Sequence, residues 1–143
     1  MPAQALRPPE IYVADTGTAK GRGVFAVRAF AAGELVETSP VVLCGSKRAT
    51  IPMALRRYLF DWGSLAQVEQ SCAMVLGYGS MYNHANPASL RFEAGRQDLT
   101  LHFLAVRDIA AHEELTINYN AMAGEHESIV DHWFTAMGIQ RLP

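Results

Sequence analysis

Three short segments carry the residue types that ligand chemistry needs. The first is Tyr82-Asn83-His84, set inside Leu76–Arg91, where Gly77, Gly79, Tyr78 and Asn86-Pro87 crowd between apolar runs. The two glycines let the backbone bend or approach another segment closely, and a residue before proline is pushed out of helix, so Ala85 to Ala88 reads as a turn. A lone His in such a place is more often a packed, hydrogen-bonded residue than a catalyst. The second segment is Gly21-Arg22-Gly23 with Lys20 adjacent. Backbone without β-carbons can lie against a ligand, and nearby polar groups can meet its carboxylate. The third is Glu113-Glu114-Leu115-Thr116-Ile117-Asn118-Tyr119, an acidic strand that ends on a phenol. Taken singly, each also fits an ordinary loop, turn or strand.

Several other chemistries are excluded or lack support. Gly21-Arg22-Gly23 is no dinucleotide fingerprint, because it lacks a third glycine and opens a strand instead of a helix. No βαβ rhythm runs through the chain, which argues against a doubly wound sheet. Only Cys44 and Cys72 are present, far apart, so there is no disulfide framework and no CxxC knuckle for a metal. The net charge of −2, with pI near 6.2, gives no general pull toward nucleic acid and tolerates a basic peptide partner. No apolar run is long enough to span a bilayer, and residues 1–10 carry three prolines without a signal-like hydrophobic core. An intracellular, cytoplasmic protein is expected.

The elements that must position these segments are mostly strands. The 143 residues suffice for one domain, and 50% hydrophobic with 18% charged residues allows a packed core. Strands are expected at 11–14, 24–28, 35–38, 40–44, 73–76, 99–106 and 114–119, separated by Gly-marked turns. A mid-chain helix is expected over 51–60, broken by Asp61-Trp62-Gly63-Ser64. A second helical stripe, Ile129, Val130, Trp133, Phe134 and Met137, ends before Gly138. There is also an internal echo: the run from Phe25 to Leu35 resembles the run from Leu104 to Glu114, both strand, small-residue turn, acidic residue, strand.

In the order in which they occur, the Gly-x-Gly, Asn-His and Glu-Leu-x-x-x-Tyr segments resemble the SET domain, the family of S-adenosylmethionine-dependent protein lysine methyltransferases. The resemblance covers roughly residues 11–120, and the compact length and the segment Tyr58-Leu59-Phe60 are similar to minimal SET enzymes of viral and bacterial type. It implies a mainly β fold (α+β by content), a β-clip-like arrangement of short strands and small sheets with knot-like C-terminal threading and a C-terminal helix. The implied organisation is a flexible N-terminal lead over 1–10, the SET domain over 11–120 and a helical segment over 121–143 that covers the site. The implied function is methyl transfer from S-adenosyl-L-methionine to a protein lysine, with S-adenosylhomocysteine as product. Lys20, Gly21, Arg22, Gly23, Tyr82, Asn83, His84 and Trp133 would contact the cofactor, and Tyr119 would sit at the methyl-transfer point. Tyr58, Tyr78 and Tyr119 would line the lysine channel. The implied partner is a lysine-containing protein or peptide, with no metal, no direct nucleic acid and no membrane; a homodimer is left open.

The chain departs from the family pattern in three places. Asn-His-Ala-Asn-Pro-Ala is one residue shorter than the usual Asn-His turn, the Tyr-x-Gly often found after Gly33-Glu34 is missing, and the cysteine-rich zinc segment is absent. Two other readings therefore stay open: a SET-fold module that binds peptide or cofactor without turnover, and a β-rich interaction domain alike only in architecture.

Overall fold

The structure, a computed structural model, describes residues 5–47, 50–66, 68–69 and 71–119. Among the described residues, nine strands and two short helices follow in the order β1 (Ile11–Asp15), β2 (Arg22–Ala26), β3 (Leu35–Leu43), α1 (Met53–Arg56), β4 (Leu59–Asp61), α2 (Trp62–Ala66), β5 (Cys72–Val75), β6 (Asn83–His84), β7 (Leu90–Gly95), β8 (Thr100–Ala105) and β9 (Glu114–Ile117). They form a four-stranded sheet, β1-β2-β9-β6, and a five-stranded sheet, β4-β5-β3-β8-β7. The mainly β architecture expected from the sequence is present. No helix among the described residues is long and apolar enough to cross a membrane.

The larger sheet supplies the core. β7 and β8 form an antiparallel hairpin, Leu90 opposite Ala105 through Gly95 opposite Thr100. Leu101, Phe103 and Ala105 alternate inward, as period-2 patterning requires. Phe103 meets Tyr82 at 4.7 Å and Phe92 at 6.1 Å between ring centroids, joining the hairpin to the segment before β6. The two strands expected at 35–38 and 40–44 are one strand, β3. Its first part pairs with β8 and its last part, Val41 to Leu43, pairs with β5. Pro40 lies at that hand-over, where its missing N–H leaves the fewest ladder bonds unmade. Its carbonyl accepts the Leu76 N–H at 2.9 Å.

The expected helix over 51–60 is corrected by the structure. Only Met53–Arg56 is helical, and none of those residues is buried. Leu59–Asp61 is pulled into the sheet instead, pairing with Cys72 to Met74. Phe60 gains an edge-on contact with Phe92 at 5.6 Å, which the helix would not have given it. The expected break at Asp61 to Ser64 is also corrected, because α2 starts at Trp62. The Asp61 carboxylate accepts both the Ser64 N–H (3.2 Å) and its hydroxyl (2.8 Å), tying down the first turn, and Trp62 is buried. Pattern reading misses so short a helix because one turn shows no periodicity.

The internal echo has a structural meaning. Phe30 and Ile109, equivalent positions in the two copies, form a mutual bridge through N–H···O bonds of 2.9 and 2.8 Å. On either side the bonds repeat with copies exchanged. Gly33 N–H to Ala105 O matches His112 N–H to Ala26 O, both 2.7 Å, and Ala105 N–H to Glu34 O matches Ala26 N–H to Glu113 O. Gly33 and His112, again equivalent, both take left-handed backbone, with φ of 84° and 66°. Even the ion pairs correspond, Arg28 to Glu34 and Arg107 to Glu113. The two copies thus pair about a local pseudo-twofold axis, which brings β2 beside β9.

That pairing matters for the site, since β9 lies between β2 and β6. Val24 and Phe25 pair antiparallel with Leu115 and Glu114, while Asn83 and His84 pair in parallel with Thr116 and Ile117. The C-terminal helix expected over 127–137, and with it the chain that would complete a knot-like threading, lies outside the described residues.

Candidate cofactor and lysine site

β6 is only two residues long and is held in place from several sides. Beyond its pairing with β9, the Ala85 N–H donates to Ile117 O at 3.0 Å. The turn after it is anchored to β9 by Ser89 and Thr116, each backbone N–H donating to the other's hydroxyl, at 3.1 and 3.0 Å. Asn83 and His84 therefore have fixed backbone positions.

Asn83 is where the three sequence segments converge. Its Nδ2 donates to Arg22 O at 3.0 Å and to Glu114 Oε2 at 2.8 Å, tying β6 to β2 and β9 in one amide group. Two acceptors on the nitrogen fix the flip of the amide and leave Oδ1 as an acceptor for something else. Gly23 makes the approach feasible. A Cβ there would lie 2.5 Å from Glu114 Oε2, 2.9 Å from Thr16 Cγ2 and 3.0 Å from Asn83 Nδ2. Gly21, with φ of 76°, closes the preceding turn, its carbonyl taking the Thr16 N–H (2.8 Å) and hydroxyl (2.7 Å). Lys20 reaches across from this turn and donates through Nζ to His84 O at 2.8 Å. Arg22 contributes its carbonyl, and its residue is exposed.

His84 serves a structural purpose in this arrangement. Its ring is buried, and Nδ1 accepts the Tyr119 N–H at 3.1 Å, which places the ring proton of a neutral imidazole on Nε2. The ring packs against that of Tyr119 at 5.2 Å. Tyr119 is thus held by its own backbone and by its far end, where the hydroxyl donates to Tyr82 O at 2.7 Å. Burial pushes its phenol up to about 12, with the neighbouring Tyr58 adding to the shift and Arg57 opposing it.

Of the other tyrosines, Tyr58 is half-buried, close enough to influence Tyr119, and carries the Arg57 guanidinium over its ring at 5.1 Å. Tyr78 packs against the core, with its N–H donating to Glu37 Oε2 at 2.9 Å. Tyr82 is wholly buried, so the structure places its side chain in the core and only its carbonyl toward Tyr119. Burial and the adjacent Glu37 carboxylate raise its phenol well above the ordinary value. Trp133 lies outside the described residues. Lys20, Gly21, Arg22, Gly23, Asn83, His84 and Tyr119 are therefore brought together, with Tyr58 beside them.

Three participants were not singled out from sequence. Thr16 and Glu114 shape the Gly23 approach, and Glu37 holds Tyr78 and Tyr82. Glu114 lay inside a recognised segment, and its strand position opposite Phe25 was the signal available. Glu37 gave none, because strand alternation does not mark it as buried.

Comparison with known proteins places the chain in a family. A family description, SET domain, matches residues 21–120. The H3 lysine-37-specific histone-lysine N-methyltransferase of Schizosaccharomyces pombe is 29% identical over 110 residues, 75% of this chain and 69% of that protein. A solved Plasmodium falciparum structure, assigned as a histone methyltransferase, superposes with TM-score 0.60 at 25% identity, covering 78% of this chain and 93% of that one. The Polycomb Repressive Complex 2 of Chaetomium thermophilum, in an autoinhibited conformation bound to S-adenosylmethionine, gives TM-score 0.57 at 21% identity over 79% of this chain and 15% of that one, a likeness of fold. The matched stretch contains all three segments that meet at Asn83, and this chain belongs to the SET domain family of protein-lysine methyltransferases.

Proposed function

We propose that the chain transfers a methyl group from S-adenosyl-L-methionine to the ε-amine of a lysine in a protein, with Asn83 and its neighbours holding the cofactor and Tyr119 at the transfer point. The observation that carries this reading is the convergence of Gly23, Asn83 and Glu114 into one clamp, with Asn83 next in the chain to Tyr82, whose carbonyl accepts the Tyr119 hydroxyl. The residues present fit the cofactor's amino-acid end. Asn83 Oδ1 matches an ammonium donor, the Lys20 ammonium matches a carboxylate, and the absence of a side chain at Gly23 keeps the clamp closed. When bound, the cofactor supplies an already activated methyl on a sulfonium.

The chain's own residues must then present a neutral lysine in the right direction. An unperturbed lysine has a pKa of about 10.4, so deprotonation at neutral pH costs roughly 4.6 kcal/mol. Burial among Tyr119, Tyr58 and the apolar core lowers that cost by disfavouring the ammonium. Tyr119 is not the base, because its phenol stays protonated to about 12. Its hydroxyl donates to Tyr82 O, which fixes the direction of the phenol beside the incoming amine. The net charge of −2 accepts a basic peptide, and the relatives named for histones make lysine-bearing histone tails the first substrates to screen.

Calorimetric titration with S-adenosylhomocysteine, on the wild type and Asn83→Ala, tests the cofactor half; binding is expected in the first and loss of at least tenfold in the second. Methylation of lysine peptides, with Tyr119→Phe retaining cofactor affinity and losing turnover, tests the rest. A folded wild type that binds no cofactor ends the enzyme reading; binding without turnover leaves a cofactor-binding module.

A further inference from the structure

Glu37 is the only acidic side chain buried in the core among the described residues, 4% exposed, and no reading of the sequence gave it a task. It reaches the interior because of a bulge in β3. Leu35 pairs with Leu104 and Glu37 with Phe103, so Val36 is the extra residue, and both Val36 and Glu37 turn inward. The two carboxylate oxygens take different donors. Oε1 accepts the Tyr82 hydroxyl at 2.6 Å, and Oε2 accepts the Tyr78 backbone N–H at 2.9 Å. Gly77 completes the seat, since a Cβ there would lie 2.6 Å from Oε2 and its own φ is 63°. One carboxylate therefore pins both ends of the segment from 78 to 82. For packing alone an apolar side chain at 37 would serve better, because a desolvated carboxylate without a cation is costly. What the carboxylate adds is direction: two donors are held at two fixed points.

The consequence reaches Tyr119. The Tyr82 carbonyl that accepts the Tyr119 hydroxyl belongs to the same residue whose side chain Glu37 holds. We infer that Glu37 is a positioning residue for methyl transfer, fixing Tyr78 and Tyr82 so that the Tyr82 carbonyl aims the Tyr119 hydroxyl at the incoming amine. This rests on the reading of Tyr119 given above. Glu37 touches neither of the Asn83 donor contacts, so its influence is on the lysine side of the site and not on the cofactor clamp.

The test uses the full chain, with Glu37→Gln and Tyr82→Phe. Tyr82→Phe removes one hydroxyl and keeps the backbone carbonyl, so it remains informative if the glutamine variant folds poorly. For each, kcat and KM are measured with the best lysine peptide, S-adenosylhomocysteine affinity by calorimetry, and the Tyr119 ring-carbon signal by NMR on tyrosine-labelled protein, assigned with Tyr119→Phe. Positioning predicts kcat down roughly ten- to a hundredfold, cofactor affinity within about twofold, and a shifted Tyr119 signal in both variants. An unchanged kcat in folded Tyr82→Phe overturns it. So does a fall in cofactor affinity equal to the fall in kcat, which a loosened fold alone would produce. If the wild type proves inactive, the reading of Tyr119 as the transfer residue fails by itself. The NMR signal then still decides whether Glu37 sets the position of Tyr119, and an unmoved signal refutes that.

Discussion

Replacing Gly23 with alanine probes the clamp most directly. The added Cβ would sit 2.5 Å from Glu114 Oε2, 0.9 Å inside the 3.4 Å at which ordinary contact begins, with Thr16 Cγ2 and Asn83 Nδ2 closing the other directions. Relief by moving the carboxylate outward stretches the 2.8 Å bond to Asn83 beyond hydrogen-bond reach. Overpacking of this kind costs about 1–3 kcal/mol. Losing a hydrogen bond to a charged group costs about 1.5–3 kcal/mol, less here because the site is half-buried. A total of about 2–4 kcal/mol corresponds to a melting temperature lower by roughly 10 °C for a domain of this size. Freed from Glu114, the Asn83 amide can turn, and S-adenosylhomocysteine affinity is expected to fall at least tenfold by calorimetry. Gly21→Ala is the control. Nothing lies within 4 Å of its Cβ, so it pays only the strain of a φ of 76°, about 1–2 kcal/mol, and leaves the Asn83–Glu114 bond intact. Gly21→Ala is therefore destabilised with a smaller loss of affinity. A folded Gly23→Ala that binds the product as tightly as wild type would refute the clamp.

Two pH dependences follow from the buried groups. Burial raises the Glu37 carboxyl above its ordinary value, outweighing its hydrogen bonds from Tyr82 and Tyr78. Between the unfolded and folded values the native state holds a proton the unfolded chain has released, so this contribution is complete below the unfolded value and is lost as pH rises through the folded one. In urea unfolding from about pH 4 upward, wild type should lose stability relative to Glu37→Gln; the opposite slope would mean that the ionised carboxylate is the favoured form. Tyr119, held at about 12, stays protonated across the assay range. The methylation rate should therefore rise from neutral pH toward about 10 as the lysine is deprotonated, without a falling limb from the tyrosine. A bell-shaped profile centred near neutral pH would assign a second titrating group to the reaction.

Much of the candidate site was legible because it gathers residue types that are unusual in strands. Gly23, Asn83 and Tyr119 each stand out locally, and their order identified the family. What the order could not give was the partner of each group. Glu114 reads as one more acidic strand residue until β2 and β9 are seen to pair. Glu37 reads as a solvent-facing position because alternation from Val36 predicts it outward, and only the bulge reverses that. The mid-chain helix was misread for a related reason. Leu59 and Phe60 fit either a helix face or a strand, and the choice is made by their pairing with Met74 and Ala73, fifteen and thirteen positions later. Tyr82 was expected at the cofactor; what the sequence does not show is that its ring is wholly buried while its carbonyl accepts the Tyr119 hydroxyl.

The place of β9 between β2 and β6 bears on how the protein comes into being. The amide of Asn83 joins groups 61 and 31 residues away in the chain, and neither bond exists until β9 has slotted between its neighbours. Every strand of the five-stranded sheet precedes β9 in the chain, so a nascent polypeptide can assemble that sheet while its ligand clamp is still in pieces. Under the proposed function, docking of β9 would be what completes the cofactor clamp. Any ligand that grips Asn83 recognises only molecules that have completed it, and by mass action draws the population through that final closure.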